Sequence, residues 1–225
     1  GFDAARFPHI STSDANDIEE ITTHCIEKHG YQSIDLLTGP LSLEVSRTRI
    51  EGYRRALEKH GIAFDAAKVH EGDFWYTSGE ALSKRYLSGE LPMPEALVCA
   101  NDYMAFGVLD AFACAGINIL DRMALVGYEF IPERNLHTPL LTTYQRNRKA
   151  LGIAATEYML NRLRGKPNPP FLPPRGRLIH GVTCGCSVAN ARQHEELMTA
   201  RLNKQFADWS LKSDLERQLT ECTNM

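Results

Sequence analysis

The segment Ala96–Asn147 constrains the fold more than any other stretch of these 225 residues. Leu97–Ala100 is a short apolar run that ends on Asn101-Asp102, and the apolar stretch Tyr103–Ala115 follows it and stops at Gly116. Ala124–Gly127 repeats the pattern and ends on Tyr128-Glu129, after which a threonine-rich strand finishes on Gln145. Two short apolar runs on either side of one helical run predict parallel strands joined by a crossover helix. A parallel pair needs a connection of that length, whereas a hairpin does not. Polar side chains then sit at the carboxyl ends of successive strands, where open α/β sheets present a crevice to small ligands.

The flanking sequence continues the alternation. Asp17–Lys28 carries Ile18, Ile21, Cys25 and Ile26 on one helical face, and Gly30 supplies its stop. Ser33–Thr38 is a strand closed by Gly39-Pro40, and Ser46–His60 is an amphipathic helix with Ile50, Tyr53, Ala56 and Leu57 inward. Ala67–Glu71 reads as a weak strand, Ser78–Leu87 as a helix, and Arg148–Leu163 as a helix ended by Gly165-Lys166-Pro167. The order predicts the α/β class: a parallel sheet with helices on both faces and right-handed crossovers.

Composition excludes several classes. The net charge of -3 gives no reason to expect a nucleic-acid surface on this chain. No apolar run approaches the roughly 20 residues that span a bilayer, and the start carries no signal-peptide pattern, so no membrane partner is expected. Six cysteines are spread through helix-like and strand-like runs, and Cys99 and Cys114 lie among apolar residues, as buried free thiols do. That usage favours a reducing, cytoplasmic compartment. Cys184-Gly185-Cys186 resembles a metal or redox clip, but no second Cys/His pair stands at ligand spacing, so no metal is expected. No histidine pair brackets a carboxylate as a zinc-protease helix requires, and Gly165-Lys166 lacks the other residues of a phosphate loop. No G-x-S-x-G elbow is present. The expectation is a chain with no catalytic residue, no cofactor and no enzymatic activity.

The last forty residues differ. Leu197, Leu202, Phe206, Trp209, Leu215 and Leu219 recur at steps of three to six, and Ser213-Asp214-Leu215-Glu216 matches a capping box. Such a tail is either a terminal helix packed on its own domain or a connector leading to an output region. We read 187–225 as the connector.

PLSLEVSRTRIEGYRRAL (Pro40–Leu57), EGDFW (Glu71–Trp75), CANDYMAFG (Cys99–Gly107), ALVGYEF (Ala124–Phe130) and PLLTTYQ (Pro139–Gln145) occur in this order. Their order and spacing resemble the effector-binding domain of LacI/GalR-type transcription regulators, a relative of type I periplasmic sugar-binding proteins. The resemblance implies a Rossmann-like lobe over about 13–145 and 171–186. It also implies that only a remnant of a first lobe, 1–12 and 146–170, is included in a sensor domain of residues 1–186. Phe7–Ser11 would be that remnant's strand. The helix Arg148–Leu163 would then show Leu151, Ala154, Ala155, Tyr158 and Met159 with few partners, a face expected to be covered by the tail helix or another chain.

Carried over by residue, the resemblance implies a sugar-type pocket. Arg49 matches the arginine of R-x-x-G-[FY], followed by Gly52 and Tyr53, and its planar fork of donors suits a pair of ligand hydroxyls. Ser46 matches a small polar residue one helical turn earlier, and Phe74 or Trp75 the aromatic that stacks on a sugar ring. Asn101 is implied to reach the ligand while Asp102 caps the following helix. Glu129 stands where the family has Asp, its longer carboxylate implying a smaller ligand or another hydroxyl pattern, with Phe130 able to cap the pocket. Gln145 matches the polar residue on the crossover strand. Each residue also has a plain structural reading: Arg49 as a solvated neighbour of Arg47, Arg54 and Arg55, Asn101 as a turn residue, Glu129 as a loop acid, Trp75 as a core aromatic.

The expected function is a cytoplasmic sensor for a sugar, polyol or nucleoside within a homodimeric transcriptional or signalling regulator. It would work by ligand-driven lobe closure, with nucleic acid contacted only through an output domain outside this chain. With half of the ligand contacts on the first lobe, the chain alone is expected to bind its sugar poorly. The alternatives are a solute-binding component of a sugar transporter, which needs a leader, and an α/β enzyme, which needs an acid–base pair and a nucleophile.

Overall fold

The computed structural model describes residues 12–131 and 140–187. The expected strand Phe7–Ser11 and the tail helices beyond residue 187 lie outside the described residues. Five helices and six strands follow in the order α1 (Asp14–His29), β1 (Ile34–Thr38), α2 (Glu44–Lys59), β2 (Val69–Glu71), α3 (Tyr76–Leu87), β3 (Ala96–Cys99), α4 (Asp102–Cys114), β4 (Ala124–Tyr128), β5 (Thr142–Gln145), α5 (Arg148–Leu163) and β6 (Arg177–Ile179).

The strands form one sheet in the order β2-β1-β3-β4-β5-β6. All pairs are parallel except β5–β6, which is antiparallel, with Thr143 opposite Ile179 and Gln145 opposite Arg177. β6 is the one described strand that the sequence does not announce, because its three residues follow a proline-rich stretch with no alternation to read.

β1, β3 and β4 are buried along their whole length, which is why they read as continuous apolar runs. Their alternate residues feed two cores. Leu36, Val98 and Val126 pack with Ile18, Ile21, Cys25, Tyr53 and Leu57 of α1 and α2. Leu37, Leu97 and Leu125 pack with Leu82, Tyr86, Met104, Val108 and Phe112 of α3 and α4 on the other face. The expected doubly covered sheet is therefore present. α3 and α4 touch backbone to backbone: a Cβ on Gly79 would lie 2.0 Å from Met104 O, and one on Gly107 2.0 Å from Tyr76 O.

One expectation changes on this frame. Cys114 is exposed rather than buried, since the outward side of α4 carries it. α5 has no buried residue, and Ile153, Met159 and Leu163 on it are exposed.

Candidate functional site

The carboxyl ends of the parallel strands converge with the start of α1 on one charged cluster, and Arg49 is its centre. Arg49 lies on the inward stripe of α2 with Ser46, Gly52, Tyr53 and Ala56. Gly52 lets that stripe approach α1, because a Cβ there would lie 2.1 Å from Ala15 O. The Arg49 guanidinium is 4% exposed. Nε donates to Asp14 Oδ2 (3.0 Å) and Nη1 donates to Ala100 O (2.5 Å). Nη2 lies 2.9 Å from Asp14 Oδ2 and 3.5 Å from Glu129 Oε1. Its plane is flanked by two rings, with the centroid of Phe74 at 5.2 Å and that of Tyr128 at 4.7 Å.

Glu129 is shared among three cations, with Arg146 Nη1 at 3.3 Å and Arg148 Nη2 at 3.7 Å in addition to Arg49. Tyr128 Oη donates to Asp17 Oδ2 (2.9 Å) and lies 3.2 Å from Asp14 Oδ1. Burial works against the charge on Asp14, but the Arg49 guanidinium, with Thr12 and Arg146, outweighs it and holds the carboxyl below the usual range. Burial wins at Asp17, whose carboxyl is raised despite hydrogen bonds from Ser13 and Tyr128.

The backbone here is strained. Phe74 (φ 66°), Glu129 (φ 103°) and Phe130 (φ 59°) all occupy the left-handed half of conformational space, and no other described non-glycine residue does. Positive φ is costly for such side chains and persists where the surrounding structure imposes it, commonly at ligand sites. It re-aims two of the expected site residues. The Phe74 ring lies on the bare backbone of Gly39, where a Cβ would be 2.1 Å from Cε2.

The sequence-predicted residues separate into three groups. Arg49, Phe74 and Glu129 come together as described. Ser46 is fully buried one turn before Arg49, and its Oγ has no hydrogen-bond partner among the described residues. Trp75 instead points outward, 64% exposed, beside Tyr103 at a ring separation of 6.0 Å. It is neither a core aromatic nor a neighbour of the Arg49 guanidinium.

The capping role expected of Asp102 falls to Asn101. Asn101 caps α4, its Oδ1 accepting from Met104 N (2.9 Å) while Nδ2 donates to Phe74 O (2.7 Å). It thereby holds the strained Phe74 in place. Asp102, fully buried, accepts from Thr143 Oγ1 (2.5 Å) and Ile131 N (2.7 Å), which ties β3, β5 and the segment after β4 together. Burial raises its carboxyl to about 7. Gln145 accepts from Arg177 Nε (3.1 Å) across the β5–β6 pair, and the next residue, Arg146, joins the Arg49 cluster in its stead. Phe130 packs with Ile179.

Asp14, Asp17, Tyr128, Arg146 and Arg148 were not singled out as site residues from sequence. A tyrosine directly before Glu129 and two arginines after Gln145 are the only signals, and both look like ordinary surface polarity until the strand ends meet. A cleft beside Arg146, bordered by Ser13, Asp17 and Pro173, measures about 20 Å³, room for one water rather than a sugar.

Residues 22–184 match the family described as the periplasmic binding protein-like domain. The chain belongs to that family. Its similarities within that family are to LacI-type transcriptional repressors. It is 33% identical over 145 residues to the HTH-type transcriptional repressor PurR of Haemophilus influenzae, an alignment covering 64% of this chain and 43% of the repressor. Among solved structures it resembles the lac repressor dimer bound to operator and the anti-inducer ONPF (28% identity, TM-score 0.67, 76% of this chain and 59% of that one). It also resembles the transcriptional regulator CelR in complex with cellobiose (25% identity, TM-score 0.68, 76% and 52%). The chain spans less than half the length of the curated repressors it matches. Among the described residues no helix is long and apolar enough to cross a membrane.

Proposed function

We propose that the chain is the effector-sensing part of a bacterial transcriptional regulator, and that the effector is a polyhydroxylated molecule such as a sugar or nucleoside. The observation that carries the reading is the buried Arg49 guanidinium between the Phe74 and Tyr128 rings with the Glu129 carboxylate at 3.5 Å. A guanidinium donates two parallel hydrogen bonds and a carboxylate accepts two, so a hydroxyl pair bridging them satisfies both, while an aromatic face covers the apolar side of a ring. The 3.5 Å separation is longer than a good charge-assisted hydrogen bond, so a ligand hydroxyl that bridges the two groups from the side breaks no tight pair. The unpartnered Ser46 hydroxyl supplies a further polar atom on the same face of α2.

The relatives carry names of transcriptional repressors and regulators, which favours a regulator over a transporter component or an enzyme. The mechanism proposed is a shift between open and closed arrangements. A ligand seated on Arg49 gains contacts when a second wall closes over it, and that differential affinity moves the equilibrium. Dimerisation, DNA contact through another region and a cytoplasmic location are part of the same proposal. A thermal-shift screen of the full-length protein against pentoses, hexoses, disaccharides and nucleosides tests it. A selective rise in melting temperature that disappears in Arg49→Ala supports the reading. Silence across the panel, or a response indifferent to Arg49→Ala and Phe74→Ala, overturns it.

A further inference from the structure

A second cluster lies at the other end of α1. His24 and His29 occupy its last turns, roughly 15–22 Å from Asp14 at the helical rise of about 1.5 Å per residue. The segment after β6 brings His180, Cys184 and Cys186 against them. His24 Nε2 and His29 Nε2 are 3.3 Å apart, and Cys186 Sγ lies 3.7 Å and 3.5 Å from them. Donor atoms of His24, His29, Cys184 and Cys186 all fall within 4.8 Å of one another. A tetrahedral zinc with Zn–N of about 2.0–2.1 Å and Zn–S of about 2.3 Å needs N···N edges of roughly 3.3 Å and N···S edges of roughly 3.6 Å. These three separations match those edges.

We propose that His24, His29, Cys184 and Cys186 bind one zinc ion, clasping the segment after β6 to the end of α1. The surrounding groups suit that role. Gly181 N donates to Thr142 Oγ1 (3.0 Å), so the Thr142 hydroxyl hydrogen is directed at Cys184 Sγ (3.0 Å), the hydrogen bond a metal-bound thiolate accepts. The Tyr31 ring stacks on His29 at 5.4 Å and its hydroxyl donates to Cys184 O (3.2 Å), fixing both ligands. His180, with Nδ1 3.8 Å from Cys186 Sγ and its ring 5.0 Å from that of His24, borders the set. Two thiolates with two imidazoles form a donor set that zinc accepts in structural sites. No spacing rule finds it in the sequence, since its halves are separated by more than 150 residues.

The test uses the whole chain, reduced and stripped of metal, dialysed against Co²⁺ and then Zn²⁺. The expected result is one metal per chain. The cobalt form should show a thiolate-to-cobalt charge-transfer band with intense tetrahedral d–d bands, bleached on adding zinc, and the melting temperature should rise with zinc. X-ray absorption at the zinc edge should give two sulfur and two nitrogen neighbours. Cys184→Ser/Cys186→Ser should lose the charge-transfer band, and His24→Ala should weaken binding by more than the roughly 10–100-fold typical of losing an outer-shell partner. Uptake below one equivalent by a reduced chain with unchanged circular dichroism overturns the proposal, as does a bound metal without sulfur neighbours or uptake equal in the double variant. The absorption spectrum of the unaltered chain decides the matter even if a variant fails to fold.

Discussion

Replacing Arg49 by Met tests whether the buried cluster is an ion-pair network held by one cation. The substitution keeps much of the side-chain volume on α2 and removes the charge. Asp14, whose side chain is 3% exposed, is then left with the Tyr128 hydroxyl at 3.2 Å and the Arg146 guanidinium at 3.6 Å. Breaking a buried pair by removing one partner costs about 3–5 kcal/mol, because the other charge stays desolvated. Against a total stability of about 5–15 kcal/mol for a domain, that is a large fraction. Asp14→Asn/Arg49→Met removes both charges and is expected to recover at least half of the loss, since an uncharged pair of similar shape carries no stranded ion.

The pH dependence should change sign with the same substitution. The folded-state carboxyl of Asp14 lies below its unfolded value of 3.8, so its contribution is present above that value and is lost as pH falls through the folded value. Without Arg49, burial dominates and the carboxyl rises, so Arg49→Met should gain stability on acidification from pH 7 toward pH about 4.5, relative to the unaltered chain. Urea unfolding followed by circular dichroism at both pH values reads both effects. A single variant within about 1 kcal/mol of the unaltered chain, below the cost of stranding a buried charge, with the same pH response, would refute the reasoning.

Glu129→Gly should abolish the effector response yet raise stability by about 1 kcal/mol, because relief of φ 103° outweighs partly exposed ion pairs; unchanged or lower urea midpoints would count against strain there. Asn101→Ala should cost about 1–2 kcal/mol through loss of the α4 cap, and the same variant should disturb the Phe74 backbone, visible as altered amide exchange at 73–75. Gly107→Ala places a Cβ 2.0 Å from Tyr76 O and should destabilise by about 3 kcal/mol or prevent soluble expression, measured against Gly152→Ala, whose Cβ meets no neighbouring atom. Asp102 has a folded-state value raised to about 7, so it favours the folded state below pH about 4 and progressively less up to pH 7; Asp102→Asn should flatten that part of the stability profile in urea titrations between pH 5 and 7.5.

Much of the frame was legible in the amino-acid order. The apolar runs at β1, β3 and β4 and the stripes of α1, α2 and α4 lie within three residues of their expected bounds at either end, and α5 coincides with its expectation. Such elements are set by local periodicity and by burial on both faces of a parallel sheet, which leave a mark in the chain itself. The periplasmic binding protein-like family was legible too, through five short motifs in fixed order along the chain. Arg49, Phe74 and Glu129 were identified from those motifs and do converge in the fold.

Only the tertiary structure decided which polar group does what. Asn101 and Asp102 are adjacent, and either can cap a helix; the backbone direction at the end of β3 gives the cap to Asn101 and turns Asp102 toward Thr143 and Ile131. Of Phe74 and Trp75, a positive φ selects the first and turns the second to solvent. Asp14, Tyr128 and Arg146 enter the cluster from three elements far apart in the chain, and His24, His29, Cys184 and Cys186 from two. Periodicity fixes which face a residue occupies, a local matter of a few dihedral angles. Which polar atoms then meet depends on how separate elements pack, and that information exists only once the chain has closed on itself.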